Sequence, residues 1–460
     1  MAENTSTWRA RLARIPPSVF AGAAVIAAAA IAYGWLTSRQ SIRVLFDSAA
    51  YLEPASQSWS WSQLFYPKPP VIPLVYRWVG TDPIDIVWFQ EWFGFVAWAV
   101  LGVVLVSALR SRRARIAATL VTLAFAFAPL RLGYADALLS ESINDSLMAL
   151  SLAAAIALLV VPERIADERR RRWARVALQV VLVAVLAAWM FTRDTNAVVA
   201  LCGVAIANVY GGRPRRAHIG RLVASGVVAA VAIFVMWSTS VIPPPTRLSV
   251  HDGWQRDLTA RGTFSTLNSI VDRVFPDPEA RAFFADHGLV AVEDLARIQD
   301  RNEIIKDPRY AESQRWIAEH GRGVYIRWLA THPLERLEDQ VTYFWSLLGV
   351  HAEQTYSMPT RMWVGRRSLL RRVLPVTTSK PVILVLLVVF PVVVWRMRRD
   401  SLARFALGCV LAGWIGSIAA FYADTSEPTR HCYGSGQQVI FGLFLVVLVW
   451  FDARSRAAPR

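Results

Sequence analysis

Phe46–Pro70, FDSAAYLEPASQSWSWSQLFYPKPP, is a polar, aromatic-rich stretch that carries an Asp and a Lys between two long apolar segments. Its apolar flanks decide the fold. Ala, Val and Leu runs of about twenty residues recur along the chain, the length a helix needs to cross a bilayer. Of all residues 55% are hydrophobic, 19 are Trp, and the mean hydropathy is +0.35. Hydropathy predicts spans near 18–36, 86–108, 116–132, 143–161, 176–191, 196–211, 221–241, 381–396, 402–421 and 435–451. The fold class is therefore all-α: a polytopic membrane protein of about ten transmembrane helices.

The net charge of +16 is decided by where it sits. Arg9, Arg11 and Arg14 precede the first span, Arg110, Arg112, Arg113 and Arg115 follow the second, and Arg169–Arg172 with Arg175 lie between the fourth and fifth. Arg213, Arg215 and Arg216 follow the sixth, Arg396, Arg398 and Arg399 the eighth, and Arg454, Arg456 and Arg460 the tenth. Every second loop is basic, which puts those loops and both termini in the cytoplasm. These arginines read as topology anchors at anionic lipid heads, and nothing supports a nucleic-acid partner. The first apolar run is long and lacks a small-residue cleavage site, so it reads as a retained span. Cys202 and Cys409 fall within spans and only Cys432 should reach the outside, which leaves no disulfide framework or metal spacing.

This topology places five segments on one outer face: 37–85, 133–142, Phe191–Asn196, Val241–Lys380 and Ala423–Tyr433. The large one has helix-like stretches at Pro278–His287 and Glu312–Leu329, and prolines interrupt it at Pro276, Pro308 and Pro333. It reads as a helical lid, with Leu334–Val350 along the membrane surface and Pro333 opening that helix. Arg361, Arg366, Arg367, Arg371 and Arg372 would then lie outside as a basic amphipathic segment; a span over 335–356 would put them inside, against Glu335, Arg336, Glu338 and Asp339. The expected organisation is 1–241 as a seven-span module with a functional first outer loop, 242–380 as the extracytoplasmic segment, and 381–460 as three further spans.

Several ionisable residues stand out on that face. A carboxylate at a membrane surface needs a partner or a function, which marks Asp47, although it could also cap a helix beginning at Ser48. Lys68, braced by prolines, is either a held cation or a snorkelling anchor of the second span. Arg193 runs against the positive-inside bias in a short turn, where it binds an anion or pairs with Asp194. Glu141 either hydrogen-bonds a ligand or orients Lys68, or it serves the start of the fourth span with Ser140 and Asn144. Arg430 and His431 occupy the last outer turn, where the His is titratable or structural.

The order of these residues resembles a family. Asp47-x-x-x-Tyr51, then Tyr66-Pro67-Lys68-Pro69-Pro70, Leu138-Leu139-Ser140-Glu141-Ser142, Arg193 and Thr429-Arg430-His431 are similar to the bacterial protein-mannosyltransferase and aminoarabinose-transferase branch of the GT-C glycosyltransferases. Pro67 stands where that branch often has an acidic residue. The resemblance covers most of the chain and implies a GT-C-like bundle under the lid. It implies inverting transfer of a monosaccharide from a polyprenyl-phosphate donor to a glycan, lipid or protein acceptor on the extracytoplasmic side of the cell membrane. Asp47 would be the general base, and Lys68, Arg193, Tyr51, Glu141, Arg430 and His431 the donor-binding residues, with room for a divalent cation. Such chemistry needs a base for the acceptor proton and cations for the departing phosphate. Two other readings stand beside it: a lipid or oligosaccharide flippase or secondary transporter, and a noncatalytic envelope-assembly subunit. Gathering of the ionisable residues at one face favours the enzyme over a transporter.

Overall fold

The structure, a computed structural model, describes residues 17–37, 42–66, 68–210, 217–242, 260–298, 301–350, 377, 379–424 and 427–457. Among these the chain is helical throughout, apart from one parallel bridge between Arg43 and Ala137. A helix lies at each of the ten apolar segments: α1 Pro17–Thr37, α2 Pro83–Ala108, α3 Arg112–Ala126, α4 Glu141–Val160, α5 Glu168–Met190, α6 Thr195–Tyr210, α7 Ala217–Ser238, α8 Lys380–Arg396, α9 Ser401–Ala423 and α10 Pro428–Ala457. Loop residues start them by capping: Asp82 accepts from Ile84 N before Pro83, Ser111 from Ala114 N, Asp167 from Arg170 N, and Asp400 from Leu402 N and Ala403 N. Each such cap satisfies backbone donors that a first turn leaves open.

Six of these helices are long and apolar enough to cross a membrane: α2, α4, α5, α7, α9 and α10. The helix pair α3 and Pro129–Ala135, bent by 42° at the break between them, has the length and apolar composition of a broken span or a re-entrant loop. Hydropathy predicts ten spans because it counts apolar residues and not unbroken helix; α6, with 16 residues, and α8, with 17, are short for a crossing.

Helix α10 runs through the centre of the bundle, packed on α9 where small residues permit close approach. A Cβ on Gly413 of α9 would lie 2.8 Å from the Ser435 carbonyl of α10, and one on Gly442 of α10 would lie 2.9 Å from the Ala406 carbonyl of α9. Trp98 stacks on Phe125 at 4.7 Å, and Phe441 meets both rings edge-on. Helices α5 and α7 instead leave Val176, Val180, Ile219 and Leu222 exposed, a surface suited to lipid.

Among the described residues, the basic segments after α2 and α4 and at the end of α10 meet at one end of the bundle. Asp452 of α10 accepts there from Arg110 N at 2.8 Å and Ser111 N at 2.6 Å, and Arg164 donates to the Ser107 carbonyl. At the opposite end lie the Phe46–Ser56 segment, the start of α4, the Phe191–Asp194 turn, the start of α10 and the 260–350 segment. That segment has its own core of Leu267, Ile270, Phe284, Trp316, Ile317 and Trp328. It is joined to α9 by Asn268 Nδ2 to Asp424 Oδ1 (3.3 Å), Ser269 Oγ to the Tyr422 carbonyl (3.2 Å) and Arg273 over the Phe421 ring (4.0 Å).

Pro333 opens a helix at its first turn, as expected, but that helix ends at Thr342 and a separate turn, Phe344–Leu347, follows Tyr343. Neither piece could cross a bilayer. Leu334, Leu337 and Val341 share one exposed face of Pro333–Thr342, which fits a helix lying on lipid. The arginine cluster Arg361–Arg372 lies outside the described residues. Cys432, in the first turns of α10, is fully buried, its thiol directed at the Ser417 carbonyl, because the start of α10 packs inward on α9.

The two ends give a topological prediction. Cysteines at the exposed positions Ser58 and Ala291 should react with a membrane-impermeant maleimide applied outside intact cells, and one at Arg169 only after permeabilisation. The reverse pattern would invert the molecule.

Candidate functional site

The Asp47 loop is fixed to the approach of α4 by backbone pairing. Arg43 N donates to the Asp136 carbonyl at 3.0 Å and Leu138 N to the Arg43 carbonyl at 3.2 Å. Ser48 Oγ adds a bond to the Leu138 carbonyl at 3.0 Å and accepts from Leu45 N at 2.8 Å. A one-turn helix at Phe46–Ser48 then leads into Ala49–Ser56, leaving the Asp47 carboxylate beside the first turn of α4.

The Phe191–Asp194 turn is held by buried amides and hydroxyls. Asn144 of α4 accepts from Thr192 Oγ1 (2.9 Å) and Asn196 Nδ2 (2.6 Å), and both donors also reach the Trp189 carbonyl. Buried polar groups paired in this way fix geometry, since an unmade bond would be costly there. The turn thus delivers Arg193 to Glu141 at 2.8 Å.

Arg430, on the first turn of α10, is the hub. Its Nη2 donates to Asp47 Oδ2 at 2.8 Å, its Nε to Glu141 Oε1 at 2.5 Å, and its Nη1 to Glu427. Lys68 Nζ reaches the other oxygen of Asp47 at 3.1 Å and lies 5.6 Å from the centre of the Tyr51 ring. Arg193 further donates to the Arg430 and His431 carbonyls at 3.0 and 3.1 Å and approaches His431 Nδ1 at 3.3 Å. The structure therefore brings Asp47, Tyr51, Lys68, Glu141, Arg193, Arg430 and His431 into one cluster from four separate segments.

Access to them differs. Glu141 is fully buried, and the Arg430 and Arg193 side chains are 3% and 11% exposed, whereas Asp47 and Lys68 are each about a quarter exposed. Burial alone would push the Asp47 carboxyl up, but the Lys68 ammonium and Arg430 guanidinium outweigh it and hold that carboxyl far below the usual carboxylate range. Burial disfavours the Lys68 ammonium, and Asp47 more than compensates, so Lys68 stays charged.

Three expectations change in consequence. Asp47 caps no helix; its oxygens go to Lys68 and Arg430. Arg193 does not pair with Asp194, because the turn points it at Glu141 while Asp194 faces Arg261 at 3.1 Å. Glu141 bonds two arginines and does not orient Lys68, and no Ser140 side-chain cap forms at α4. His431 lies between Arg193 and Asp424, 3.6 Å from the latter.

Glu427 was missed because 423–433 reads as a turn in the sequence; the structure starts α10 at Pro428 and sets Glu427 three residues before Arg430, the spacing at which side chains meet. Missed too were two buried polar pairs, whose signal was ionisable residues inside apolar runs. Trp98 Nε1 donates to Asp145 Oδ2 at 2.8 Å, and Arg131 Nη2 donates to Tyr33 Oη at 2.8 Å. Asp145 is one turn further along α4 than Glu141. Among the described residues no group of three or more His, Cys, Asp or Glu is arranged to hold a metal ion.

No protein-family model matches the chain, and neither a curated protein nor a solved structure shows significant similarity to it.

The charge balance around Glu141 yields a stability prediction. Glu141→Gln strips Arg193 and Arg430 of a shared buried counter-charge, and breaking a buried pair in this way costs about 3–5 kcal/mol. The variant should lose substantial thermal stability in detergent, and Lys68→Gln, whose side chain is partly solvated, much less. Equal melting temperatures for Glu141→Gln and wild type would contradict the buried hub.

Proposed function

We propose that the protein is an extracytoplasmic, membrane-embedded glycosyltransferase that moves a monosaccharide from a polyprenyl-phosphate donor to a hydroxyl acceptor. The observation that carries this reading is the partly exposed Asp47 carboxylate, clamped between a partly exposed lysine and a buried arginine at one end of an apolar bundle. A lipid-linked donor presents its phosphate at that depth, and a lysine beside a carboxylate offers an anion site and a base together.

In the proposed reaction the acceptor hydroxyl oxygen attacks the anomeric carbon from the face opposite the phosphate. Asp47 takes the hydroxyl proton as the new glycosidic bond forms. The bond between the anomeric carbon and the phosphate oxygen breaks, its electron pair leaves with the polyprenyl phosphate, and the configuration inverts. Lys68 is the principal cation for that phosphate because it is the accessible one; Arg193, deeply engaged with Glu141, is a strut.

A carboxylate held this acidic is a weak base while Lys68 and Arg430 both contact it. Donor phosphate competes for Lys68, so donor binding raises the pKa of Asp47 toward the working range. Stabilisation of the ionised carboxyl is fully present above its unfolded value near pH 4 and is lost as pH falls below it. The free enzyme should therefore show no acid limb from Asp47 in kcat/KM between about pH 5 and 8, while the corresponding limb of kcat, which reports the donor complex, should lie at higher pH. Coincident limbs would remove the exchange of Lys68 from Asp47 to phosphate.

Asp47→Asn keeps the size of the side chain and removes the base. With a polyprenyl-phosphate sugar panel it should preserve donor binding and reduce transfer by roughly 100-fold or more. Lys68→Ala should weaken donor binding about tenfold or more, the scale of one charge-assisted contact. Near-normal turnover by Asp47→Asn would make Asp47 structural, and failure of the wild type to consume any lipid-linked sugar would end the glycosyltransferase reading. The flippase reading has less support: the exposed charges of the site sit at one end, and the buried Asp145 lies only one turn inside it.

A further inference from the structure

Arg261 belongs to no candidate set read from the sequence, yet its side chain is 5% exposed and touches two of the segments that build the site together with the end of α7. It is the first residue of the helix Arg261–Ser269, where the 260–350 segment meets the bundle. Its Nη1 donates to the Tyr66 carbonyl at 2.9 Å and to the Leu64 carbonyl at 3.3 Å. Its Nη2 donates to Ser238 Oγ, at the end of α7, at 2.7 Å, and its Nε lies 3.1 Å from Asp194 Oδ2. Tyr66 is two positions from Lys68 and Asp194 adjoins Arg193. The close approach is built in, because Gly262 N donates to the Thr239 carbonyl at 2.9 Å and a Cβ on Gly262 would lie 3.1 Å from that oxygen.

We infer that Arg261 is a positioning residue that couples the extracytoplasmic segment to the phosphate site by fixing the backbone before Lys68 and the turn that bears Arg193. A guanidinium suits this role because its planar fork can hold two carbonyls, a hydroxyl and a carboxylate at once, and it stays charged when buried. Lysine offers one nitrogen and cannot span the set. Asp194 makes the coupling electrostatic: burial pushes its carboxyl up, and Arg261 is the largest opposing influence. Movement of the 260–350 segment would thus be felt first at the donor cations and only indirectly at Asp47. The inference rests on the proposed donor site.

The test is a double-mutant cycle on the whole chain in detergent, with binding of undecaprenyl phosphate measured by calorimetry for wild type, Lys68→Ala, Arg261→Gln and the double variant. Arg261→Gln should weaken binding about tenfold, and adding it to Lys68→Ala should cost little more, since a residue acting through Lys68 has nothing left to position. Arg261→Lys, which keeps the charge beside Asp194 and guards against a folding defect, should recover melting temperature more fully than affinity. In turnover assays the donor KM should rise while kcat changes much less. Wild-type affinity in a folded Arg261→Gln protein, or full additivity with Lys68→Ala, would overturn the coupling while leaving the donor site intact. Absence of undecaprenyl phosphate binding by the wild type would overturn both.

Discussion

The three-way engagement of Arg430 is the constraint on which the site end of the molecule depends. One guanidinium on the first turn of α10 serves Asp47 from the first loop, Glu141 from α4 and Glu427 from just before its own helix. Arg193 completes the arrangement by sharing Glu141 and capping the carbonyls around Arg430. A guanidinium buried this fully is tolerable only with its charge matched, so these segments are held in register by an electrostatic requirement as well as by packing. Distant positions in the chain thereby become one surface.

The neighbouring apolar architecture serves the same end. Helix α10 reaches the middle of the bundle because glycines on α9 and α10 remove side-chain thickness where the backbones cross, and Gly349 adopts a left-handed backbone, φ 63°, where it passes Tyr433. A Cβ there would meet Tyr433 Cα at 2.7 Å. Close packing around Arg430 excludes water on the bundle side and leaves Asp47 and Lys68 as the groups open to a ligand. The difference in exposure, more than residue type, separates the groups that can meet a substrate from those that hold them.

The 260–350 segment combines independence and attachment. Its own aromatic core makes it a folded unit, while Arg261, Arg273 and Asn268 bind it to the bundle through charge and cation–π contacts. Arg336 and Arg273 both pair with Asp339 and both lie against Tyr422 of α9. Such polar docking can rearrange at smaller cost than an apolar interface of similar size.

The sequence by itself determined the helical class, the segments that become the apolar helices and the gathering of basic loops, because bilayer insertion is governed by local composition and nearby charge. It also marked Asp47, Tyr51, Lys68, Glu141, Arg193, Arg430 and His431 as residues of one end, since outer loops share a side of the membrane. What only the tertiary structure decided was who pairs with whom. Arg193 meets Glu141 and not Asp194, Asp47 is clamped acidic, and Glu427 and Arg261 join the site, because ion pairs between residues as much as 383 positions apart are set by helix packing that no local pattern encodes. Helix continuity was likewise beyond reach: the 42° bend before Pro129 and the break at Tyr343 follow from local backbone geometry and docking, to which hydropathy is blind.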